Sequence, residues 1–375
     1  MYLPSPRRLS SIVPLAAIAG LATAAGVSLS RATRGLPAAM GASARRISTA
    51  VTGAPHHSDG VFSNVLPSTV LSPGTGPALV KALLQHGDKG KPRGPVPLAD
   101  VTVPTTAGTL AVTWLGHASA LIELDGHWIL ADPVWGERVS PSATVGPRRL
   151  HPVPMTIGEL PRLTAVIISH DHYDHLDLPT VKALTSGQDA PFLVPRGIGA
   201  HLSRWGVPEN RIVELDWNES TEIDGITFTC TEARHFSGRG LKRNVTLWSS
   251  WALAGPTKKV YFGGDTGYTP AFAEIGARLG PFDLTLLPIG AYGPQWPDIH
   301  MDPEEAWRAH GDLGGALLVP IHWATFDLAF HTWAEPIERL IAAAGTDLGL
   351  LAIPRPGERI VVADAPAVKP WWSGL

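Results

Sequence analysis

His170-Asp171-His172-Tyr173-Asp174-His175 places the candidate metal ligands His170, His172, Asp174 and His175 within six residues. The stretch follows the apolar run 164–169, typical of a strand buried on both faces, and precedes a short helical pattern at 178–185. Residues two positions apart can point the same way, so His170 and His172 can hold one ion while Asp174 and His175 face another. A chance cluster at a polar helix start is the alternative, but such crowded groups would then stay unpaired. The segment therefore predicts a centre for two metal ions.

Six residues cannot complete two ions, so further ligands must come from distant parts of the chain. Three candidates stand at the end of an apolar strand pattern: His235 after 226–234, Asp265 after 258–264 and His322 after 316–321. Gly263 and Gly264 let the backbone approach closely beside Asp265. Each residue alone is also compatible with an ordinary structural role. Together they supply the number of ligands that two ions need.

The composition restricts both the metal chemistry and the partners. The 375 residues are 44% hydrophobic and 17% charged, which suffices for a large core, and the net charge of −3 does not indicate a nucleic-acid partner. Cys230 is the single cysteine, so neither an internal disulfide nor a thiolate metal cluster can form. Fifteen histidines remain as the source of metal ligands.

The amino-terminal third differs from the rest of the chain. Residues 1–35 contain arginines and a run of 22 uncharged residues between Arg8 and Arg31, which predicts a signal peptide or a membrane anchor; a disordered alanine-rich leader is the alternative. Residues 36–105 are rich in proline and glycine, and we expect them to wrap the core. Residues 106–365 are expected to form the main domain. The predicted location is membrane-associated or exported.

Strand patterns dominate the main domain, with helices between them. Asp125-Gly126 predicts a hairpin between strands at 119–124 and 127–131, and Asp302-Pro303 predicts the start of a helix over 304–310. Another helix is expected at about 334–344. Face-to-face sheets with helices outside suit this order, which predicts an α/β or α+β layered fold.

The order HxHxDH, His, Asp, His resembles the metallo-β-lactamase superfamily. Within it, the chain resembles the N-acyl-phosphatidylethanolamine-hydrolysing phospholipase D group over roughly residues 56–340. The matching pieces are His57–Asn64 (HSDGVFSN), Trp114–Ala118 (WLGHA), Leu130–Val134 (LADPV), Ile168–Asp177 (ISHDHYDHLD), Gly264–Tyr268 (GDTGY), Leu287–Tyr292 (LPIGAY), His300–Ala306 (HMDPEEA) and Ile321–Phe326 (IHWATF). The metal motif is common to the superfamily, whereas the last three pieces are narrower.

The resemblance implies a four-layer αββα sandwich with two zinc ions at the edge of its sheets. One zinc would be bound by His170, His172 and His235, the other by Asp174, His175 and His322, and Asp265 would bridge them. Cys230 matches no ligand position. Zinc lowers the pKa of bound water to about 7, and two ions about 3.5–4 Å apart can hold a shared hydroxide. We therefore expect direct attack of hydroxide on phosphorus or on an acyl carbon.

Four further residues have predicted roles around this centre. His300 is expected to contact substrate or transfer a proton, with a surface histidine as the alternative. Tyr173 can donate to a phosphate oxygen or simply pack. His117 and Asp132 can orient metal ligands, or be ordinary hydrogen-bonded core residues.

Three functions fit the sequence. The leading hypothesis is a phosphodiesterase that cleaves a phospholipid such as N-acyl-phosphatidylethanolamine at a membrane surface. The second is a lactone or small-ester hydrolase, and the third is a metal-binding envelope protein without turnover. The complete ligand set disfavours the third, and the leader with the narrow motifs favours the first. A homodimer is one assembly that the sequence leaves open.

Overall fold

The computed structural model describes Thr33 and residues 35–375. Apart from Thr33 and Gly35, the predicted leader lies outside the described residues. No helix in the described part of the chain is long and apolar enough to cross a membrane.

Two large mixed sheets form the body of the molecule. The first has the strand order β15-β3-β4-β5-β6-β7-β8 and the second β14-β13-β12-β11-β10-β9. The first sheet contains β3 (Leu110–Gly116), β4 (Ser119–Leu124), β5 (His127–Ala131), β6 (Ala165–Ile167), β7 (Phe192–Pro195), β8 (Ile212–Leu215) and β15 (Arg359–Val361). The second contains β9 (Ser220–Ile223), β10 (Ile226–Thr231), β11 (Ser250–Ala254), β12 (Lys259–Phe262), β13 (Leu284–Pro288) and β14 (Leu318–Ile321). A small hairpin, β1 (His57–Ser58) and β2 (Val61–Phe62), precedes them.

Helices are distributed along the chain between the strands. They are α1 (Leu36–Ala39), α2 (Ala44–Ala50), α3 (Gly76–His86), α4 (Leu178–Gly187), α5 (Gly199–Trp205), α6 (Ala271–Leu279), α7 (Pro303–Asp312) and α8 (Glu335–Ala344). Short 3-10 turns lie at Ile157–Glu159, Glu209–Arg211, Leu348–Leu350 and Val362–Asp364.

Alternating residues of the first sheet enter two different cores. Ile129 and Ala131 of β5 pack in the cluster that contains the second sheet, whereas Leu130 between them packs with helices α4 and α5. This follows from the two-residue period of a strand. Residues of α6, α7 and α8, such as Phe272 and Ile337, pack in the same cluster as the second sheet. The layers thus run helix, sheet, sheet, helix, and the expected metallo-β-lactamase sandwich is confirmed.

Local sequence features place several elements as predicted. Asp125 and Gly126 have φ values of 47° and 88°, which make the tight turn between β4 and β5. The Asp302 side chain caps α7 by accepting from the Glu305 backbone N–H, and the Glu305 side chain accepts from the Asp302 backbone N–H. The strands predicted at 119–124 and 127–131 have the predicted bounds, whereas β10 is shorter than its pattern and ends at Thr231, four residues before His235.

The segment before the main domain lies on it at several points. Ile47 of α2 is buried beside Gly197, and Phe62 donates its N–H to the Asn244 carbonyl. The limits 36–105 and 106–365 stay predictions. Beyond residue 365, Trp372 is buried and its ring lies 6.0 Å from that of Trp323.

Candidate metal centre

The carboxyl ends of parallel strands place the candidate ligands at one edge of the two sheets. His170 follows β6 by three residues, Asp265 follows β12 by three, and His322 comes directly after β14. Strands β5 to β8 run parallel, as do β12 to β14, so their ends meet at the same edge. His235 lies four residues beyond β10, where Arg234 pairs with Gly267. The strand-end pattern thus brings distant residues together.

The turns after these strands adopt unusual backbone conformations. Asp132 and His322 have positive φ values of 37° and 63°, and Gly264 has 56°. A side chain on Gly264 would meet Ser169 at 2.4 Å, so only glycine fits between the two sheets there. The left-handed residues turn the chain sharply and direct the side chains across the edge.

Three imidazoles form the first candidate group. The Nε2 of His170 lies 2.8 Å from the Nδ1 of His172, which in turn lies 3.3 Å from the Nε2 of His235. His170 and His235 are almost fully buried. Nitrogens this close can share either a proton or a cation.

The second candidate group combines a carboxylate with imidazoles. The Oδ2 of Asp174 lies 3.5 Å from the Nε2 atoms of both His175 and His322. It also lies 2.9 Å from the Nε2 of His117. His117 therefore contacts a candidate ligand directly.

Asp265 lies between the two groups. Its Oδ2 is 3.9 Å from the Nε2 of His170 and of His235, 3.2 Å from that of His175 and 3.1 Å from that of His322. Within the described residues, Asp265 Oδ1 and the Nε2 atoms of His175 and His322 have no hydrogen-bond partner although they are buried. Buried polar atoms without partners are costly, and a shared cation would satisfy them. The donor set thus fits divalent cations, with Asp265 between the two candidate groups.

The electrostatics of the centre also favour cations. Burial raises the pKa of the Asp265 carboxyl, but His175 and His322 outweigh this and hold that pKa well below its usual value. Burial lowers the pKa of His322, yet Asp265 and Asp174 raise it to about 9. Burial and the neighbouring imidazoles hold the pKa of His170 well below its usual value. Burial raises the pKa of Asp174 as well, but His175 and the other neighbouring imidazoles hold it well below its usual value, so both carboxylates are ionised and are stabilised by nearby positive charge.

Groups behind the centre fix the orientation of the imidazole rings. Asp132 accepts from His175 Nδ1 at 2.6 Å and from the backbone N–H of Ser169 at 2.7 Å. The Ile299 carbonyl accepts from His235 Nδ1 at 2.8 Å. A partner of this kind holds one ring nitrogen and directs the other at a metal ion. Asp132 and His117 thus lie where the orienting role requires them.

Asn64 holds the backbone of His235, a role that the sequence did not indicate. Its side chain donates to the His235 carbonyl at 2.7 Å and accepts from the His235 N–H at 3.1 Å and from Trp248 Nε1 at 3.0 Å. Asn64 ends the piece HSDGVFSN, whose resemblance was the only signal for it. The amino-terminal hairpin therefore supports the centre directly.

Arg239 joins the first helix to the motif segment and was also missed. Its buried guanidinium donates to the carbonyls of Asp171 and Leu176 at 2.7 and 2.6 Å, and to that of Ala39 at 2.8 Å. Nearby, His201 Nδ1 accepts from the Ala42 N–H at 2.8 Å, and its Nε2 lies 3.4 Å from Asp171. We name this set of contacts the Arg239 latch.

A cavity of about 290 Å³ opens onto the centre. Its polar lining includes His172, Asp174, Asp265 and His322. Its apolar wall includes Val70, Leu71, Phe236, Trp296, Ile299 and Leu328. Arg243 lines it as well, stacked 5.4 Å from the Phe236 ring centre. The cavity can therefore take an anionic group joined to apolar chains.

His300 and Tyr173 have different places in the site. His300 lines the cavity, with its Nδ1 3.8 Å from Asp265 Oδ2, and burial lowers its pKa to about 4. The Tyr173 hydroxyl instead donates to the Arg239 carbonyl at 2.8 Å, and the Arg239 guanidinium lies 4.0 Å from its ring centre. Because this hydroxyl already donates its hydrogen bond to the Arg239 carbonyl, the contacts favour packing for Tyr173 over donation to a phosphate oxygen.

Comparison with known proteins agrees with this geometry. Residues 127–323 match the beta-lactamase superfamily domain. The chain is 53% identical to an uncharacterized protein of Mycobacterium tuberculosis over 93% of this chain and 95% of that protein. It is 40% identical to the N-acyl-phosphatidylethanolamine-hydrolyzing phospholipase D 1 of Caenorhabditis elegans, over 62% of this chain and 68% of the relative. Igni18, a metallo hydrolase from Ignicoccus hospitalis, has a similar fold, with a TM-score of 0.51 and 24% identity over 67% of this chain and 97% of its own.

The matched domain contains the whole segment His170–His175 together with His235, Asp265, His300 and His322. The family match, the two-sheet fold and the clustered candidate ligands agree with one another. The chain therefore belongs to the metallo-β-lactamase superfamily of metal-dependent hydrolases, in the group that includes the N-acyl-phosphatidylethanolamine-hydrolysing phospholipases D.

Proposed function

We propose that this protein is a dinuclear zinc phosphodiesterase of phospholipase D type that acts on N-acyl-phosphatidylethanolamine-like lipids. The observation that carries the proposal is the shared Asp265 carboxylate, which joins two candidate ligand groups at the base of one cavity. Two metal sites side by side suit the in-line displacement of a phosphodiester, because both the attacking and the leaving oxygen need stabilisation.

Nitrogen-rich donors favour zinc among common divalent ions. The first group would hold one ion through His170, His172 and His235, and the second another through Asp174, His175 and His322. Imidazole and carboxylate are both ordinary zinc ligands. When bound, the ions would supply an activated water and charge stabilisation for the leaving oxygen.

The cavity lining supports a lipid phosphodiester as the substrate. Arg243 offers a cation to a phosphate oxygen, and the apolar wall with Leu71 and Trp296 offers a surface for acyl chains. Trp296 is fixed because its Nε1 donates to the Ala291 carbonyl at 2.8 Å. The name of the Caenorhabditis elegans relative, an N-acyl-phosphatidylethanolamine-hydrolyzing phospholipase D, points to the same substrate class.

His300 is the proposed group for proton transfer or substrate contact. Because burial lowers its pKa to about 4, its imidazole is neutral near pH 7. A neutral imidazole offers one donor and one acceptor, so it can pass a proton to the leaving oxygen or orient the headgroup.

A neutral ester or lactone would meet the same centre, and assays can separate the two functions. The full-length protein is loaded with zinc, its metal content is measured, and N-acyl-phosphatidylethanolamine, bis(4-nitrophenyl) phosphate and a lactone panel are assayed together. We expect two zinc ions per chain and cleavage of both phosphodiesters.

Asp265→Ala should remove activity and most of the metal. The control Asp283→Ala, which breaks a partly exposed ion pair with Lys258, should retain both. Turnover of lactones alone, or fewer than one ion per chain, would refute the proposal.

A further inference from the structure

From the residues around the cavity mouth we infer that one face of this protein docks on an anionic phospholipid surface. The face, called here the mouth face, is formed by Met40, Leu71, Leu241, Lys242 and Arg243. The inference rests on the proposed lipid phosphodiesterase function and adds the surface by which the enzyme would reach its substrate.

The loop 238–243 holds an apolar side chain out into solvent. Leu241 is fully exposed, with a relative accessibility of 104%, although leucine is ordinarily buried. The base of the loop is fixed, because Arg239 is buried and bonded to three backbone carbonyls. A leucine on a fixed base next to basic residues is the arrangement expected of a side chain that enters a lipid interface.

The charges beside Leu241 complement anionic headgroups. Lys242 and Arg243 are exposed, and neither has a carboxylate within ion-pair distance among the described residues. Arg45, at the start of α2, is exposed and likewise forms no such pair there. Exposed cations that are not engaged in ion pairs are attracted to the negative surface of a membrane.

The mouth face is continuous with the cavity over the metal centre. Arg243 and Leu71 both line that cavity, and Leu71 is also 51% exposed. On the other side of the loop, Gly240 approaches the end of the Met40 side chain. A lipid held against this face would have its headgroup at the entrance to the centre.

Residues 37–40 lie at the same face. The Trp205 indole donates to the Ala38 carbonyl, and Pro37 and Met40 line a cavity together with Leu241.

A single fluorescent label tests the docking face. Because Cys230 is buried and is the only cysteine, Leu241→Cys in the full-length protein can be labelled selectively with an environment-sensitive dye. We expect the dye emission to shift to the blue on vesicles of phosphatidylglycerol and phosphatidylcholine, and less on phosphatidylcholine alone. The matched control Leu350→Cys, at another exposed leucine, should not shift. An unchanged emission at position 241 on anionic vesicles would overturn the inference.

Catalysis provides an independent readout. In Leu241→Ser, cleavage of N-acyl-phosphatidylethanolamine in vesicles should fall about tenfold, because the lost apolar contact weakens vesicle binding. Cleavage of the soluble bis(4-nitrophenyl) phosphate should not change, and Leu350→Ser should resemble the wild type in both assays. Equal vesicle activity in Leu241→Ser and wild type would count against the mouth face. Failure of the wild type to cleave either phosphodiester would instead refute the proposed function, while the dye still reports on docking.

Discussion

Asp265 presents one carboxylate oxygen to five imidazole rings. The distances from its Oδ2 range from 3.1 Å at His322 to 3.9 Å at His170 and His235, with His175 and His300 between. A single oxygen cannot accept from all of these groups as a hydrogen-bond acceptor. At the scale of residues, the centre is therefore arranged around positive ions and depends on the groups that orient each ring.

Asp132→Asn should weaken metal binding by about 10–100-fold, because an amide is a poorer partner than a carboxylate for the His175 ring. In the wild type, Asp132 Oδ2 lies 2.6 Å from His175 Nδ1. Competition with a chromophoric chelator measures the affinity. Asp216→Asn is the control, since Asp216 is buried and contacts His56 Nδ1 at the same 2.6 Å outside the centre. Equal losses in both variants would show that Asp132 has only a general structural role.

Asn64→Ala should lower the free energy of unfolding by about 1–3 kcal/mol, because the buried N–H and carbonyl of His235 lose their partner. Urea denaturation of the metal-free protein measures this loss, and zinc titration should show weaker binding as His235 moves. Asn210→Ala, at an exposed asparagine, should change neither quantity. A variant with normal stability and normal zinc affinity would contradict the role given to Asn64.

At the scale of elements, the ends of strands and the segments fixed to them determine the site. The sequence predicted His235, Asp265 and His322 because an apolar strand ending in a ligand-type residue is a local pattern. It did not predict Asn64 or Arg239, whose partners His235 and Ala39 lie 171 and 200 residues away along the chain. The sequence also does not predict strands β9 and β13 or helices α5 and α6. Strand β13 ends in Pro288, inside the resembling piece Leu287–Tyr292. Such pairings depend on how the elements pack.

Arg239→Lys should loosen the first helix from the motif segment. A lysine cannot reproduce the several directed bonds of the guanidinium, so we expect a loss of about 2–4 kcal/mol in the free energy of unfolding. Limited proteolysis should also cleave residues 36–43 faster, which mass spectrometry can locate. Arg204→Lys is the control, because Arg204 contacts the Pro37 carbonyl at 3.5 Å, which is too long for a strong hydrogen bond. Unchanged cleavage in Arg239→Lys would show that the latch does not hold this segment.

At the scale of the whole molecule, the metal centre connects the two sheets. His170, His172 and His175 follow a strand of the first sheet, whereas Asp265 and His322 follow strands of the second. The sheets also meet through apolar packing, as at Trp114 and Trp323, whose rings stack 5.9 Å apart, and through hydrogen bonds such as that from the His322 N–H to the His117 carbonyl. Bound ions would add a cross-connection at the edge where the cavity opens.

Removal of metal should therefore lower the melting temperature by several degrees. A ligand at 100 times its dissociation constant stabilises the folded state by about 2.7 kcal/mol. Differential scanning calorimetry with and without EDTA, followed by addition of zinc, measures the effect. His322→Ala should lose most of the zinc-dependent increase, whereas His310→Ala, a buried histidine outside the centre, should keep it. A melting temperature independent of zinc would show that the ions do not connect the sheets.

The separation of the ligands along the chain has a consequence for biosynthesis. A ribosome makes residues 170–175 long before it reaches Asp265 and His322. The growing polypeptide first exposes histidines that can bind a free metal ion. The Asp265 carboxylate and the His322 imidazole have not yet been synthesised at that stage. Since ligands fix a metal only in the folded arrangement, correct loading must wait until His322 has been synthesised and has folded into place. The supply of the metal in the compartment where folding ends would then decide how much newly made protein becomes active.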